Sequence, residues 1–148
     1  VKLNLGCNDN HLAGFVNVDI CPPADMIVDL RGHWPWFTDS IEHILANDVL
    51  EHLPDKIHSM NEAHRVLKLG GRLEFCVPTT DGRGAWQDPT HKSFWTPYDY
   101  LYFCPDQPEW KRFHGHYGIT AQFKRIKWEH KETYEKVWKL YAILETIK

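Results

Sequence analysis

A glycine and a carboxylate thirteen residues apart, each ending an apolar run, constrain this chain more than any other feature. Val1, Leu3 and Leu5 lead into Gly6, and Phe15-Val16-Asn17-Val18 leads into Asp19. A strand that stops at glycine lets a ligand approach bare backbone. A neighbouring strand that stops at a carboxylate offers an acceptor for a pair of ribose hydroxyls. The opening therefore predicts a parallel α/β sheet with a ribose-bearing ligand at its rim.

The remaining residues extend that pattern. Met26-Ile27-Val28 reads as a short strand ending in Asp29-Leu30, and Ile41 to Ala46 as a buried strand ending in Asn47-Asp48. Between them Arg31 to Ser40 is a loop holding Trp34, Trp36 and Phe37. Pro54 to Leu67 predicts a helix: Ile57, Met60, Ala63 and Leu67 recur near helical spacing, and Leu69-Gly70-Gly71 is expected to stop it. Arg72 to Val77 is the next strand, halted by Pro78. From Thr79 to Gln122 periodicity is lost, and this stretch carries ten of the twenty aromatic residues. It reads as a long substrate-side loop with a short helix around Pro97 to Phe103. Phe123 to Lys131 alternates, with Arg125, Lys127, Glu129 and Lys131 on one face as at a sheet edge. Val137 to Ile147 is apolar on both faces, as in a strand covered on both sides. Gly6, Asp19, Asp29 and Asn47-Asp48 then fall on one rim, where ligands of parallel sheets bind.

Length and composition fit one domain over residues 1–148, with 43% hydrophobic and 25% charged residues. A net charge of −3 gives no whole-chain field for nucleic acid. No apolar run approaches the ~18 residues of a membrane span, and no basic-then-apolar leader precedes the first strand. Cys7, Cys21, Cys76 and Cys104 lie far apart, as expected of reduced thiols in the cytoplasm. Ten histidines include a single H-x-H, His114 and His116, and no metal site is expected.

The phosphate question narrows the ligand. A dinucleotide needs G-x-G-x-x-G opening a helix, whereas Gly6-Cys7-Asn8-Asp9-Asn10-His11 keeps only the first glycine. Thirteen residues leave the helix between the two strands stunted or absent. Such a loop suits a ligand with ribose and adenine but no phosphates.

Leu3-Asn4-Leu5-Gly6-Cys7-Asn8, Val18-Asp19, Val28-Asp29-Leu30, Ala46-Asn47-Asp48-Val49-Leu50-Glu51-His52-Leu53 and Arg65-Val66-Leu67-Lys68-Leu69-Gly70-Gly71 resemble successive motifs of class I S-adenosylmethionine-dependent methyltransferases, most closely the small type-11-like bacterial and phage members. The resemblance covers residues 1 to 103 by motif. It implies a Rossmann-like sheet of seven strands in the order 3-2-1-4-5-7-6 with shortened helices, S-adenosylmethionine as cofactor and S-adenosylhomocysteine as product. It places Gly6, Cys7 and Asn8 along the methionine part of the cofactor. Asp19 falls on the ribose, Ile20, Asp29 and Leu30 at adenine, and Asn47 and Asp48 near the sulfonium and amino groups. Two positions depart from the pattern. Asn8 stands for the usual glycine, which asparagine's tolerance of positive φ permits, and Leu69 stands for proline.

Methyl transfer asks the protein to position two reactants, and to remove a proton if the acceptor is a hydroxyl. Trp86-Gln87-Asp88-Pro89-Thr90-His91 lies after the fifth strand, over the same rim, and related enzymes carry an Asp-Pro-Thr-His stretch there. His91 is accordingly a candidate base or substrate ligand, or with Asp88 a pin for the loop. Asp48 is a cofactor contact with a base as its second role. His52 is a candidate on the substrate side, and Trp86, Phe94, Trp95 and Tyr98 either wall a pocket or pack the loop. The basic residues Lys111, Arg112, Lys124, Arg125, Lys127 and Lys131 fit a solvated edge strand, with RNA as the other reading. The expectation is methyl transfer to a small-molecule or sugar-like acceptor; RNA or protein methylation and a non-catalytic cofactor-binding scaffold are the alternatives. Oligomeric state is open, a homodimer included.

Overall fold

The computed structural model describes residues 1–148 and contains a seven-stranded sheet. Its strands are β1 (Lys2–Leu5), β2 (Val16–Asp19), β3 (Met26–Ile27), β4 (Ile41–Asn47), β5 (Leu67–Pro78), β6 (Phe123–Tyr134) and β7 (Val137–Thr146). The order across the sheet is β3-β2-β1-β4-β5-β7-β6, as the motifs imply. The first five strands are parallel, and β7 runs antiparallel to both β5 and β6. All five parallel strands therefore end on one rim.

No helix lies between β1 and β2. Side-chain amides hold that connection instead. Asn4 and Asn17 face each other across the two strands and are both buried. Asn4 Nδ2 donates to Asn17 Oδ1 (3.0 Å) and to the Asn10 carbonyl (2.8 Å). Asn17 Oδ1 also accepts from the Leu12 N–H (2.8 Å), and Asn17 Nδ2 donates to Asp25 Oδ2 (2.7 Å). The loop is thus tied at Asn10 and Leu12 to the two strands it joins.

The helix α1 (Lys56–Val66) starts two residues later than the pattern suggests, because Asp55 is its cap, accepting from the His58 N–H at 2.9 Å. It ends at Val66, without a glycine cap: Leu67 turns extended at once to pair with Ile41. Gly70 and Gly71 instead form a bulge within β5, between the pairs Ile41–Leu67 and His43–Arg72. Gly70 sits at φ +72°, and a Cβ on Gly71 would lie 2.8 Å from the Lys68 carbonyl oxygen. The buried face of α1 (Met60, Ala63 and Val66) joins a core with Leu3, Ile44, Phe75 and Leu144. Glu62, also on α1, accepts from the Trp34 N–H (2.7 Å) and from Arg65, whose guanidinium reaches the carbonyls of Trp34 and Trp36. That hub fastens the 31–40 loop to the helix.

Residues 79–122 are not one long loop. They contain the short helix α2 (Gly84–Gln87), a 3₁₀ turn over Asp99–Phe103 and the ten-residue helix α3 (Pro108–Tyr117). The 3₁₀ turn matches the expected short helix. α3 was hidden because its apolar stripe, Trp110, Phe113 and Tyr117, lies within a stretch dense in aromatic residues and does not stand out from it, although Pro108 starts the helix and left-handed Gly118 ends it. Lys56 Nζ donates to Asp99 and to the Phe94 carbonyl, tying this segment to α1.

Two further expectations change. Leu140, Ala142, Leu144 and Thr146 of β7 are buried, but Lys139, Tyr141, Ile143 and Glu145 remain half-exposed, so this strand is covered on one face only. Its open face carries a polar ladder in which Tyr141 donates to Glu74 (2.5 Å) and Glu74 contacts His43 Nε2 (3.2 Å). In β6 a bulge lies between Arg125 and Lys127, which pair with consecutive residues Leu144 and Ile143. The two cations therefore point to opposite faces: Arg125 reaches the Tyr100 hydroxyl (2.9 Å), and Lys127 sits over the Tyr141 ring.

Asn17→Ala strands the Asn4 amide and the Leu12 N–H and should cost about 2–3 kcal/mol in urea unfolding, a change below ~0.5 kcal/mol contradicting the network's role. Arg65, followed by the Trp34 N–H, holds the Glu62 carboxyl down at about 2, below its ordinary 4.5. Its contribution, about 3 kcal/mol, is present above pH 4.5 and lost as pH falls toward 2. Glu62→Gln should remove that acid-dependent component, and an unchanged slope of stability against pH in this range would refute it.

Candidate active site

The rim gathers three left-handed residues. Gly6 (φ +61°) and Asn8 (φ +44°) follow β1, and Asp48 (φ +53°) follows β4. Asn8 thus adopts the positive φ that the glycine it replaces would take. Gly6 is required for a second reason, since a Cβ there would lie 2.4 Å from Val49 Cγ2. With the backbone turned in this way, the Asn8 N–H donates to Asp19 Oδ2 (2.8 Å), while the Ile20 N–H donates to Oδ1 (2.6 Å). Both carboxylate oxygens are held, and each keeps a further lone pair for a ligand.

These turns open a cleft of about 370 Å³, within the range of small-molecule sites. Gly6, Asp19, Ile20, Asp29, Leu30, Asp48 and His52 all line it, with Val28, Arg31, Val49 and Leu53. The ion pair of Asp29 with Arg31 (2.6 Å) lies at the adenine end that the motifs imply. Hydrogen bonds from the guanidinium and the Arg31 N–H hold the Asp29 carboxyl down at about 2. At the opposite side Lys139 Nζ donates to both oxygens of Asp48 (2.8 and 2.6 Å).

The other expected residues lie outside the lining. Cys7 is buried, its N–H donating to the Val18 carbonyl (3.0 Å), and burial followed by the Asp19 charge raises its thiol. Asn47 is exposed at the end of β4. Trp86 stacks on Phe94 at 4.8 Å, whereas Trp95 is wholly buried in the core and walls no pocket. Asp88 and His91 sit behind His52, with the His52 and His91 rings edge to face at 4.9 Å. The Thr90 hydroxyl donates to Asp88 Oδ1 (2.6 Å) and meets His52 Nδ1 (3.1 Å). His91 Nδ1 contacts the Ala85 carbonyl (2.9 Å). Beneath them lies Glu51, 2% exposed, whose Oε2 has no hydrogen-bond partner. Burial pushes its carboxyl up to about 8, the Asp48 and Asp88 charges adding to the rise. His114 is far from this arrangement in role, stacked on Trp110 at 3.8 Å along α3.

Arg31, which lines the cleft, and Glu51, Thr90 and Lys139, which border it, are residues that reading the sequence did not single out. A signal existed for Lys139, a lone cation inside an apolar strand, and for Glu51, a carboxylate between Leu50 and His52 ahead of a buried Leu53.

Gly6→Ala should destabilise the chain by at least about 2 kcal/mol, combining a left-handed alanine with the Val49 clash. Adding Val49→Ala should cost less than the two single changes summed, and strict additivity in denaturant titrations would contradict the packing described.

Comparison with known proteins places this geometry. The family model for a methyltransferase domain matches residues 10–75. No curated protein matches the chain. Among solved structures, an S-adenosylmethionine-dependent methyltransferase from Methanosarcina mazei superposes with a TM-score of 0.68 at 13% identity, covering 99% of this chain and 92% of that one. The N-methyltransferase NodS from Bradyrhizobium japonicum, solved with S-adenosylhomocysteine, gives 0.63 at 13% identity, covering 99% and 78%. The [4+2]-cyclase SpnF gives 0.66 at 12% identity, covering 98% and 73%. Residues 10–75 thus match a methyltransferase domain, and over its whole length the chain has the fold of solved S-adenosylmethionine-dependent methyltransferases.

Proposed function

We propose that the protein transfers a methyl group from S-adenosylmethionine to a small-molecule or sugar-like acceptor. The observation that carries this reading is the polarity of the cleft. One end offers Asp19, clamped by backbone N–H groups, beside apolar Ile20, Val28 and Leu30; the other ends at His52. The residues fit the cofactor chemically. A doubly held carboxylate suits a ribose diol, apolar walls suit adenine, and the loop after β1 has no helix N-terminus to cradle a phosphate. Bound there, the cofactor supplies an electrophilic methyl group on a sulfonium.

The chain's own work is positioning and acceptor activation. Asp19 and the Asp29–Arg31 pair fix the nucleoside end. Asp48, held by Lys139, presents negative charge near the cationic centre. His52, backed by Thr90, Asp88 and His91, meets the acceptor and promotes loss of its proton. The small acceptor is favoured over RNA because three of the four β6 cations are already engaged: Arg125 with Tyr100, Lys127 with Tyr141 and Lys131 with Glu129.

Calorimetric titration tests this. S-adenosylmethionine and S-adenosylhomocysteine should bind and NAD should not, and Asp19→Ala should weaken binding by at least about tenfold, or ~1.4 kcal/mol. Unchanged affinity in folded Asp19→Ala protein would sink the pocket assignment. His91→Ala should spare cofactor affinity and lower turnover in an acceptor screen with labelled methyl donor. Equal loss of both would reduce His91 to a loop pin.

A further inference from the structure

We infer that Glu51, His52 and His91 form a site for a divalent first-row transition cation, zinc by donor set, at the acceptor end of the cleft. One ligand atom from each of the three lies within 4.8 Å of the others. Two independent observations point to a ligand there.

The first is Glu51. Its side chain is buried, and its Oε2 has no hydrogen-bond partner. A buried carboxylate oxygen left unpaired is costly, and a cation is one way to satisfy it. Asp48 and Asp88 add negative potential around Glu51, which Lys139 offsets only in part.

The second is the hydrogen-bond pattern behind the imidazoles. A carbonyl only accepts, so His91 Nδ1 must donate its proton to Ala85. The Thr90 hydroxyl spends its proton on Asp88 Oδ1, so at its contact with His52 Nδ1 it accepts. Both rings therefore carry the proton on Nδ1 and leave Nε2 with a free lone pair. Outer partners that fix ring orientation and tautomer in this way are what metal-binding histidines use. Asp88 Oδ2 stands 3.7 Å from His91 Nε2 and can serve as an outer partner or a fourth ligand.

The two segments that carry the ligands are locked together. The Lys92 and Ser93 N–H groups both donate to the Glu51 carbonyl (2.8 and 3.0 Å), and the Ser93 hydroxyl donates to that of Leu50 (3.1 Å). Tetrahedral zinc with bonds near 2.1 Å spaces its ligand atoms by about 3.4 Å, so side-chain rotation on this frame suffices to close the set. Two imidazoles and one carboxylate favour zinc-like ions over magnesium or calcium and leave a position open. Because His52 lines the cleft, that position faces the acceptor, where a cation would lower the pKa of an acceptor hydroxyl and release its proton to solvent. This last role rests on the methyl-transfer reading; the cation site does not. It replaces the expectation of a metal-free chain.

The test is calorimetry of zinc and cobalt(II) with the chelator-stripped full chain, read beside S-adenosylhomocysteine binding by the same sample. One saturable equivalent is expected, with a cobalt d–d band in the visible. Glu51→Gln, His52→Ala and His91→Ala should each weaken the cation by about 10–100-fold, while His114→Ala/His116→Ala leaves it unchanged. Glu51→Gln preserves shape and guards against misfolding as the cause. No saturable cation binding, or binding lost only in the His114/His116 variant, overturns the inference. If S-adenosylhomocysteine still binds in that event, the methyltransferase reading stands by itself.

Discussion

Two asparagine side chains stand where a helix would otherwise be. The Asn4–Asn17 hydrogen bond joins β1 to β2 from within, and its outer arms reach the Asn10 carbonyl, the Leu12 N–H and Asp25. Everything at the rim follows from this. With the loop fastened, Gly6 and Asn8 turn left-handed, and the Asn8 N–H meets Asp19. The Asp19 carboxylate is thus positioned by its own loop. The same shortening removes the helix N-terminus that a pyrophosphate would need.

Charge is distributed unevenly along the cleft. Asp19 is held by two N–H groups, Asp29 by Arg31 and Asp48 by Lys139, so each of these carboxylates has its charge supported. Glu51 has no ion pair, being buried with one oxygen unpaired. The contrast separates one part of the cleft, where groups are paired and fixed, from its border around Glu51 and His52, where lone pairs are left available. Perturbed groups of this kind gather at sites that do chemistry more often than at purely structural ones.

Much of this architecture was legible because strand ends are marked locally. Gly6, Asp19, Asp29 and Asp48 each interrupt an apolar run, and a parallel sheet brings such stops to one rim. Asn8 was legible for the same reason, its left-handed conformation following from residue type. What escaped depends on contacts distant in sequence. Nothing near Asp48 announces Lys139, 91 residues away, and nothing near His52 announces Thr90, 38 residues away. The helix Pro108–Tyr117 escaped for a different reason: its stripe of Trp110, Phe113 and Tyr117 sits in a stretch dense in aromatic residues and does not stand out from it. The alternation in β6 misled because one bulged residue, Ile126, reverses the faces.

The central claim is that one cleft at the carboxyl rim holds the cofactor in the orientation the carboxylates dictate. Backbone amide shift mapping with S-adenosylhomocysteine tests it most directly. The account predicts perturbations at Gly6 to Asn8, Asp19 and Ile20, Leu30 and Arg31, and Asp48 to His52, with β6 and α3 unmoved. Perturbations centred on the open face around His43, Glu74 and Tyr141, with Asp19 and Ile20 silent, would contradict it.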